Sequence, residues 1–292
     1  MKKIMHVIEI IPLVIIILVS RIIGIDRSSN LGAFLARLLG PFHKSSKIAA
    51  KNIKHVFPDL SDKEVKELIL KIWEDAGRTF FEMPHIYKLS KQEFYNRVQV
   101  IGKEKLKKVD LKKSAIWLTG HFSNWEVAAR AALDYSSNPA ILYRKINNRL
   151  LDQIVLSLRS KKILHIPKGL RSVRQLLQAI KEKRFLCFLT DQKLREGIET
   201  DFFNKKAHTA TVPLKLAIKS DLPIIFGRVV RTKGANFKFF IYEPFYAKDI
   251  AGKNKELVLA KKMNKIFEEW IKEEPAQWFT WLHRRWEKEF YR

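Results

Sequence analysis

With 292 residues, 47% of them hydrophobic and 29% charged, the chain can fold around one large core or two small ones, which excludes disorder for most of its length. Its 56 basic against 30 acidic side chains leave a formal charge of +26, which points to a polyanionic partner: nucleic acid, an anionic membrane surface, an acidic protein or a phosphorylated substrate. The one cysteine, Cys187, sits inside the apolar run Phe185-Leu186-Cys187-Phe188-Leu189, so there is no internal disulfide and no cysteine-based metal cluster, and a reducing compartment fits.

The first segment in chain order is apolar from Ile4 to Ile25, flanked by Lys2 and Lys3 before it and Arg21 and Arg27 at its end. It reaches spanning length only by accepting His6, Glu9, Ser20 and Arg21 near its ends, where polar side chains can snorkel. No small-x-small cleavage site follows Val19, so residues 1–27 are expected to form a membrane anchor, either spanning or lying in the interface. Residues 28–97 read as a helical layer. Leu31, Phe34, Leu35 and Leu38 recur at helical spacing before Gly40-Pro41, and Ser61 with Glu64 forms a capping-box pattern ahead of Val65, Leu68, Ile69 and Ile72.

From residue 98 to 292, short apolar runs alternate with helical ones. Strands are expected over 115–119, 140–143, 185–190, 223–230 and 237–242, and helices over 124–133, 172–183, 212–219 and 255–272. This alternation predicts an α/β core, a sheet with helices on its faces. The end of the first strand carries His121-Phe122-Ser123-Asn124-Trp125-Glu126, and strand ends are where α/β sheets place their sites. Ser123 and Glu126 also match a capping box, which would fold Glu126 back beside the loop of His121. A carboxylate beside an imidazole fixes its tautomer and stabilises the imidazolium, which suits a general base for a substrate hydroxyl. The competing reading makes Glu126 a helix cap and His121 a loop residue. Zinc is not expected, because no His-Glu-x-x-His helix or third ligand is present, and Ser123 lacks the Gly-x-Ser-x-Gly setting of a nucleophile.

His121-x4-Glu126, together with Tyr143-Arg144, Thr190-Asp191-Gln192, Phe202-Phe203 and the tail Pro275 to Trp286, resembles the late acyltransferases of lipid A biosynthesis, the lauroyl and myristoyl transferases of the glycerolipid acyltransferase superfamily. The stretch Ala50 to Pro58 is similar as well, so the resemblance spans nearly the whole chain. It implies a mixed sheet flanked by helices, with an N-terminal membrane-anchor helix. It implies transfer of a fatty acyl chain from an acyl carrier protein thioester to a hydroxyl of an anionic lipid A precursor, with His121 and Glu126 catalytic and with no resident cofactor or metal. Asn124, Arg144, Asp191 and Arg228 are the candidate substrate-binding residues, with Arg144 offering a fork to phosphate or to an oxyanion. Trp278, Trp281 and Trp286 are expected to pack and to reach the membrane interface. The implied location is the bacterial inner membrane, with the catalytic domain on its cytoplasmic face. The chain departs from the family pattern at Asn204 and Thr209 to Pro213, where glycines are expected, which bears on the local backbone path and on the pocket for the acyl chain. Rival readings are an acyltransferase for glycerol phosphate, a lysophospholipid or another glycolipid, and a membrane-tethered nucleic-acid binder. The first lacks a Pro-Glu-Gly-Thr block, and the second lacks any helix-turn-helix, zinc-finger or RNA-binding motif, so no nucleic-acid partner is expected.

Overall fold

The computed structural model describes residues 10–110, 112–135 and 138–291. The first nine residues of the expected anchor lie outside them. Four helices precede the sheet: α1 (Ile10–Leu39), α2 (Ser45–Val56), α3 (Asp62–Ile86) and α4 (Lys91–Arg97). The Ser61 capping box opens α3 as the pattern predicts, with the Ser61 amide donating to Glu64 Oε2 at 2.8 Å and the Glu64 amide donating to Ser61 Oγ at 3.3 Å. Helix α1 is kinked at Gly24, whose φ of 78° breaks the helical amide ladder. Ser28 Oγ lies within hydrogen-bonding distance of the carbonyls of Ser20 and Gly24, and Arg97 grips Asp26 through two 2.7 Å contacts. Helices α1 and α3 cross backbone to backbone. A Cβ on Gly32 would stand 2.3 Å from the Gly77 carbonyl oxygen, so only glycine permits this approach.

No helix among the described residues is long and apolar enough to cross a membrane. Helix α1 buries Ile17, Ile25 and Ala33 and leaves Ile11, Ile15, Leu18 and Ile22 exposed in a row at helical spacing. Past the kink the exposed apolar positions continue at Phe34, Leu38, Leu39 and Phe42. A soluble face at these positions is ordinarily polar.

The core is a mixed sheet in the order β1-β9-β8-β2-β5-β3-β4. Its strands are β1 (Val98–Ile101), β2 (Ile116–Thr119), β3 (Ala140–Tyr143), β4 (Leu164–Pro167), β5 (Leu186–Leu189), β8 (Pro223–Lys233) and β9 (Asn236–Ile241), with β10 (Phe245–Tyr246) alongside β8. β8, β2, β5, β3 and β4 run parallel, whereas β9 is antiparallel to β8. Covered on both faces, the central strands are continuous apolar runs rather than alternating ones. Ile116, Leu118, Leu186, Phe188, Ile224 and Phe226 point to one core, with Ile53 of α2 and Phe267 and Trp270 of α9 (Lys255–Glu273). Trp117, Cys187 and Ile225 point to the other, beneath Val127, Ala128 and Ala131 of α5 (Trp125–Tyr135). The remaining helices are α6 (Arg149–Leu158), α7 (Ser172–Lys181) and α8 (Val212–Ser220).

A separate hairpin joins β6 (Ile198–Phe202) to β7 (Lys205–Thr209). Its two turn residues, Phe203 and Asn204, both have positive φ, 49° and 57°. Asn204, where the resemblance leads one to expect glycine, adopts this conformation because asparagine tolerates the left-handed region. Phe203 is held there by burial and by its amide, which donates to Glu268 Oε1 at 2.6 Å.

Candidate active site

Strand β2 ends at Thr119, and the loop from Gly120 to Asn124 turns the chain into α5. Gly120 lies so close to Asp191, just after β5, that an added Cβ would sit 3.0 Å from its side chain. The next residues are clamped from two sides. Ser123, at a strained φ of 47°, donates its amide to the Gln277 carbonyl at 2.7 Å, and its own carbonyl faces Thr79 Oγ1 of α3 at 3.3 Å. The Phe279 amide donates to the His121 carbonyl at 2.9 Å, so the tail from Gln277 to Phe279 runs antiparallel to the loop like a short strand.

This clamp brings Asp191 to His121. Oδ1 of Asp191 stands 2.7 Å from His121 Nδ1, while Oδ2 accepts from the His121 amide at 3.0 Å, Trp278 Nε1 at 2.8 Å and Thr280 Oγ1 at 2.7 Å. Burial opposes ionisation of this carboxyl, but the His121 charge and the hydrogen bonds from His121 and Thr280 outweigh it and hold Asp191 well below the usual carboxylate range. Nε2 of His121 makes no hydrogen bond among the described residues, and His121 lines a cleft of about 470 Å3 at the ends of β2, β3 and β5. A carboxylate that fixes the proton on Nδ1 leaves Nε2 as the basic nitrogen facing that cleft.

The expected contact between His121 and Glu126 is not made. Glu126 Oε2 accepts from Arg159 Nε at 3.0 Å and from the Tyr87 hydroxyl at 2.8 Å, and Oε1 accepts from Arg159 Nη2. The Ser123 capping box is replaced too: Asn124 Oδ1 accepts the Glu126 amide at 3.1 Å. With Ser123 in the left-handed region, the helix start is turned so that Glu126 faces α3 and Arg159 instead of the loop. Burial disfavours charge on Arg159, yet Glu126 more than offsets it and raises the guanidinium above its ordinary range. The guanidinium side chain lines the same cleft as His121.

The family model for bacterial lipid A biosynthesis acyltransferases matches residues 2–288. The chain belongs to that family. It is accordingly an O-acyltransferase of lipid A biosynthesis. A lipid A biosynthesis lauroyltransferase of Escherichia coli (strain K12) is 27% identical over 265 residues, covering 88% of this chain and 84% of that protein. Among solved structures, a 1-acyl-sn-glycerophosphate acyltransferase from Thermotoga maritima is 16% identical and covers 83% of this chain and 98% of its own, at a TM-score of 0.38, a level from which nothing about function follows.

In this acyltransferase the four expected substrate-binding residues part company. Arg144 is exposed on the cleft wall and makes no ion pair among the described residues. Lys168 and Lys193 line the same cleft, where the latter also holds Glu287 at 2.6 Å. Asp191 is buried behind His121 and touches the imidazole rather than the open cleft. Asn124 is fully buried and donates to Glu82 Oε2 at 2.8 Å, which makes it part of the loop's support. Arg228 is buried, holds Glu273 and donates to the Trp270 carbonyl at 3.0 Å, outside the cleft that contains His121. The expected membrane-facing tryptophans are corrected as well: Trp278, Trp281 and Trp286 are each fully buried. Sequence reasoning missed Arg159, which follows a helix it did not recognise, and Thr280 with Trp278, whose tail it noted without reading them as donors to Asp191. Among the described residues no group of three or more His, Cys, Asp or Glu is placed to hold a metal ion.

Proposed function

We propose that this acyltransferase moves a fatty acyl chain from an acyl carrier protein thioester to a hydroxyl of a lipid A precursor, at the cytoplasmic face of the inner membrane, with His121 as general base. The observation that carries the base assignment is the 2.7 Å pairing of Nδ1 of His121, which lines the cleft, with the carboxylate of Asp191 buried behind it. Nε2 would take the proton of the acceptor hydroxyl as its oxygen attacks the thioester carbon. The imidazolium, stabilised by Asp191, would then protonate the departing thiolate of the carrier. Glu126 enters this scheme through Arg159, which it fixes at the cleft edge as a donor for the thioester oxyanion or for an anionic group of the acceptor. Arg144 and Lys168 supply positive charge for the acceptor's phosphate.

The +26 charge suits all three anionic partners: the precursor, the acidic carrier protein and the inner leaflet. The exposed apolar row on α1 supports membrane association through the interface. Mass spectrometry of lipid A from cells with and without this protein tests the reading. One acyl chain should be missing when the protein is absent, and an unchanged lipid A would refute it.

A further inference from the structure

A φ of 47° at Ser123 is a conformation that a residue other than glycine keeps only where its surroundings over-determine it. Three residues do so here. The Gln277 carbonyl accepts the Ser123 amide at 2.7 Å, the Thr79 hydroxyl donates to the Ser123 carbonyl at 3.3 Å, and Glu82 Oε2 accepts from Asn124 Nδ2 at 2.8 Å. Each of these three is held in turn by Arg231, near the end of β8. The Arg231 amide donates to Gln277 Oε1 at 2.7 Å, and its carbonyl accepts from Gln277 Nε2 at 3.0 Å. Its guanidinium donates through Nη2 to Thr79 Oγ1 at 3.2 Å and through Nη1 to Glu82 Oε1.

The strand delivers this side chain at an irregularity: the ladder between β8 and β9 shifts register between Arg231 and Lys233, and such shifts re-aim a side chain. The fork is then fixed by two further acceptors, Asp75 Oδ1 on Nε at 2.6 Å and the Gly234 carbonyl on Nη1 at 2.8 Å. A lysine ammonium, a single point with three donors, cannot meet acceptors spread around the plane of a guanidinium. Because Thr79 Oγ1 accepts from Arg231, its own hydrogen is left for the Ser123 carbonyl. Arg231, Thr79 and Glu82 are buried, and none of them lines the cleft of His121, so any effect on the chemistry runs through the loop. His121 lies two residues before the strained hinge, and its imidazole must meet Asp191 on a different strand end.

We propose that Arg231 is a positioning residue for acyl transfer: through Thr79, Glu82 and Gln277 it holds Ser123 and Asn124 so that His121 meets Asp191 with Nε2 toward the cleft. This rests on His121 acting as the base, as proposed above. A network that served folding alone would lower stability when broken and leave turnover untouched in the molecules that remain folded. A positioning network lowers turnover in folded enzyme, and it does so without weakening the binding of either substrate, because it touches neither.

The test is steady-state kinetics of the full-length enzyme with an acyl carrier protein thioester and a lipid A precursor. Thr79→Val removes the hydroxyl with little change of shape and leaves Arg231, Asp75 and Glu82 in place, whereas Thr79→Ser keeps the hydroxyl. A misplacement of about 1 Å can cost about 10²-fold, so Thr79→Val should lower kcat by about 10- to 100-fold with both KM values nearly unchanged. Thr79→Ser should recover most of that loss. Arg231→Lys, which keeps the charge and loses the fork, should lower kcat at least as far as Thr79→Val; if it does not fold, the two Thr79 variants carry the comparison. Phe94→Leu, a core change on α4 outside this network, is the control for stability and should lower the melting temperature while keeping wild-type kcat. A folded Thr79→Val enzyme with kcat within about threefold of wild type would overturn the inference, as would an equal loss in Phe94→Leu. Near-wild-type turnover by folded His121→Ala would instead overturn the base assignment.

Discussion

Asp191→Asn separates a catalytic from a merely structural role of the carboxylate, because its four donors are unequally able to adapt. Oδ2 faces the His121 amide and Trp278 Nε1, which have no alternative to donating, and Thr280 Oγ1. Turning the new amide NH2 toward them would orphan buried donors at about 1–3 kcal/mol each. Oδ1 faces only His121 Nδ1, and an imidazole can adapt by moving its proton to Nε2. The variant should therefore fold with the NH2 toward Nδ1 and the imidazole in the opposite tautomer. Nε2 then carries a hydrogen and cannot accept the proton of the acceptor. The loss should be about 10² to 10⁴ in kcat, or about 3–5 kcal/mol on the barrier, with little change in KM for the acceptor. Steady-state kinetics with an acyl carrier protein donor measure the loss, and nitrogen chemical shifts of the imidazole report the tautomer. A folded Asp191→Asn enzyme with kcat within about threefold of wild type would refute the reasoning.

The Glu126–Arg159 pair is buried, so Glu126→Gln should cost about 3 kcal/mol in chemical denaturation, and a second change, Arg159→Met, should restore much of it; a neutral single variant would contradict the pairing. Gly32→Val should force α1 off α3, since its Cβ would stand 2.3 Å from the Gly77 carbonyl oxygen, and faster proteolysis within α1 with a lowered melting temperature would report it. Asp191 is held below its unfolded value of 3.8, so the unfolded chain takes up this proton first as pH falls. Its contribution to stability is present in full above that value and is lost as pH drops toward the folded one, so wild type should lose melting temperature more steeply on acidification than Asp191→Asn. Parallel slopes would show that Asp191 does not carry the linkage.

The strands that the sequence revealed are the apolar ones: β2, β5 and β8 are buried along most of their length, whereas β3 is half-buried and β9 buries alternate positions. β2, β3, β5, β8 and the core of β9 stand out as apolar runs, and the structure trims or extends them by up to three residues. β1 and β4 did not stand out, because Val98-Gln99-Val100-Ile101 is short and Leu164-His165-Ile166-Pro167 carries a histidine and a proline at the sheet edge. The hairpin β6–β7 is rich in Glu, Asp and Lys, since it lies off the main sheet and buries only alternate positions. The site divides in the same physical way. The loop bearing His121 was legible as a polar motif after an apolar run. Its partner was not, since Asp191 is 70 residues away and Thr280 is a further 89 beyond Asp191, distances that local spacing does not address. Glu126 was near in sequence, but the positive φ at Ser123 turns it toward Arg159. The tryptophans of the tail were visible as a cluster of amphipathic side chains. Their burial follows from Trp278 Nε1 finding Asp191 and Trp281 Nε1 finding the Pro275 carbonyl at 2.7 Å, which removes the need for an interface.

The central claim is that the imidazole of His121 activates an acceptor hydroxyl for acyl transfer. Its most direct test incubates purified wild-type enzyme and His121→Ala with acyl carrier protein thioester and a lipid A precursor, and weighs the lipid product by mass spectrometry. Wild type should add the mass of one acyl chain. A His121→Ala enzyme shown by circular dichroism to be folded should add it slower by about 10² to 10⁴. Near-wild-type product formation by that variant would contradict the account.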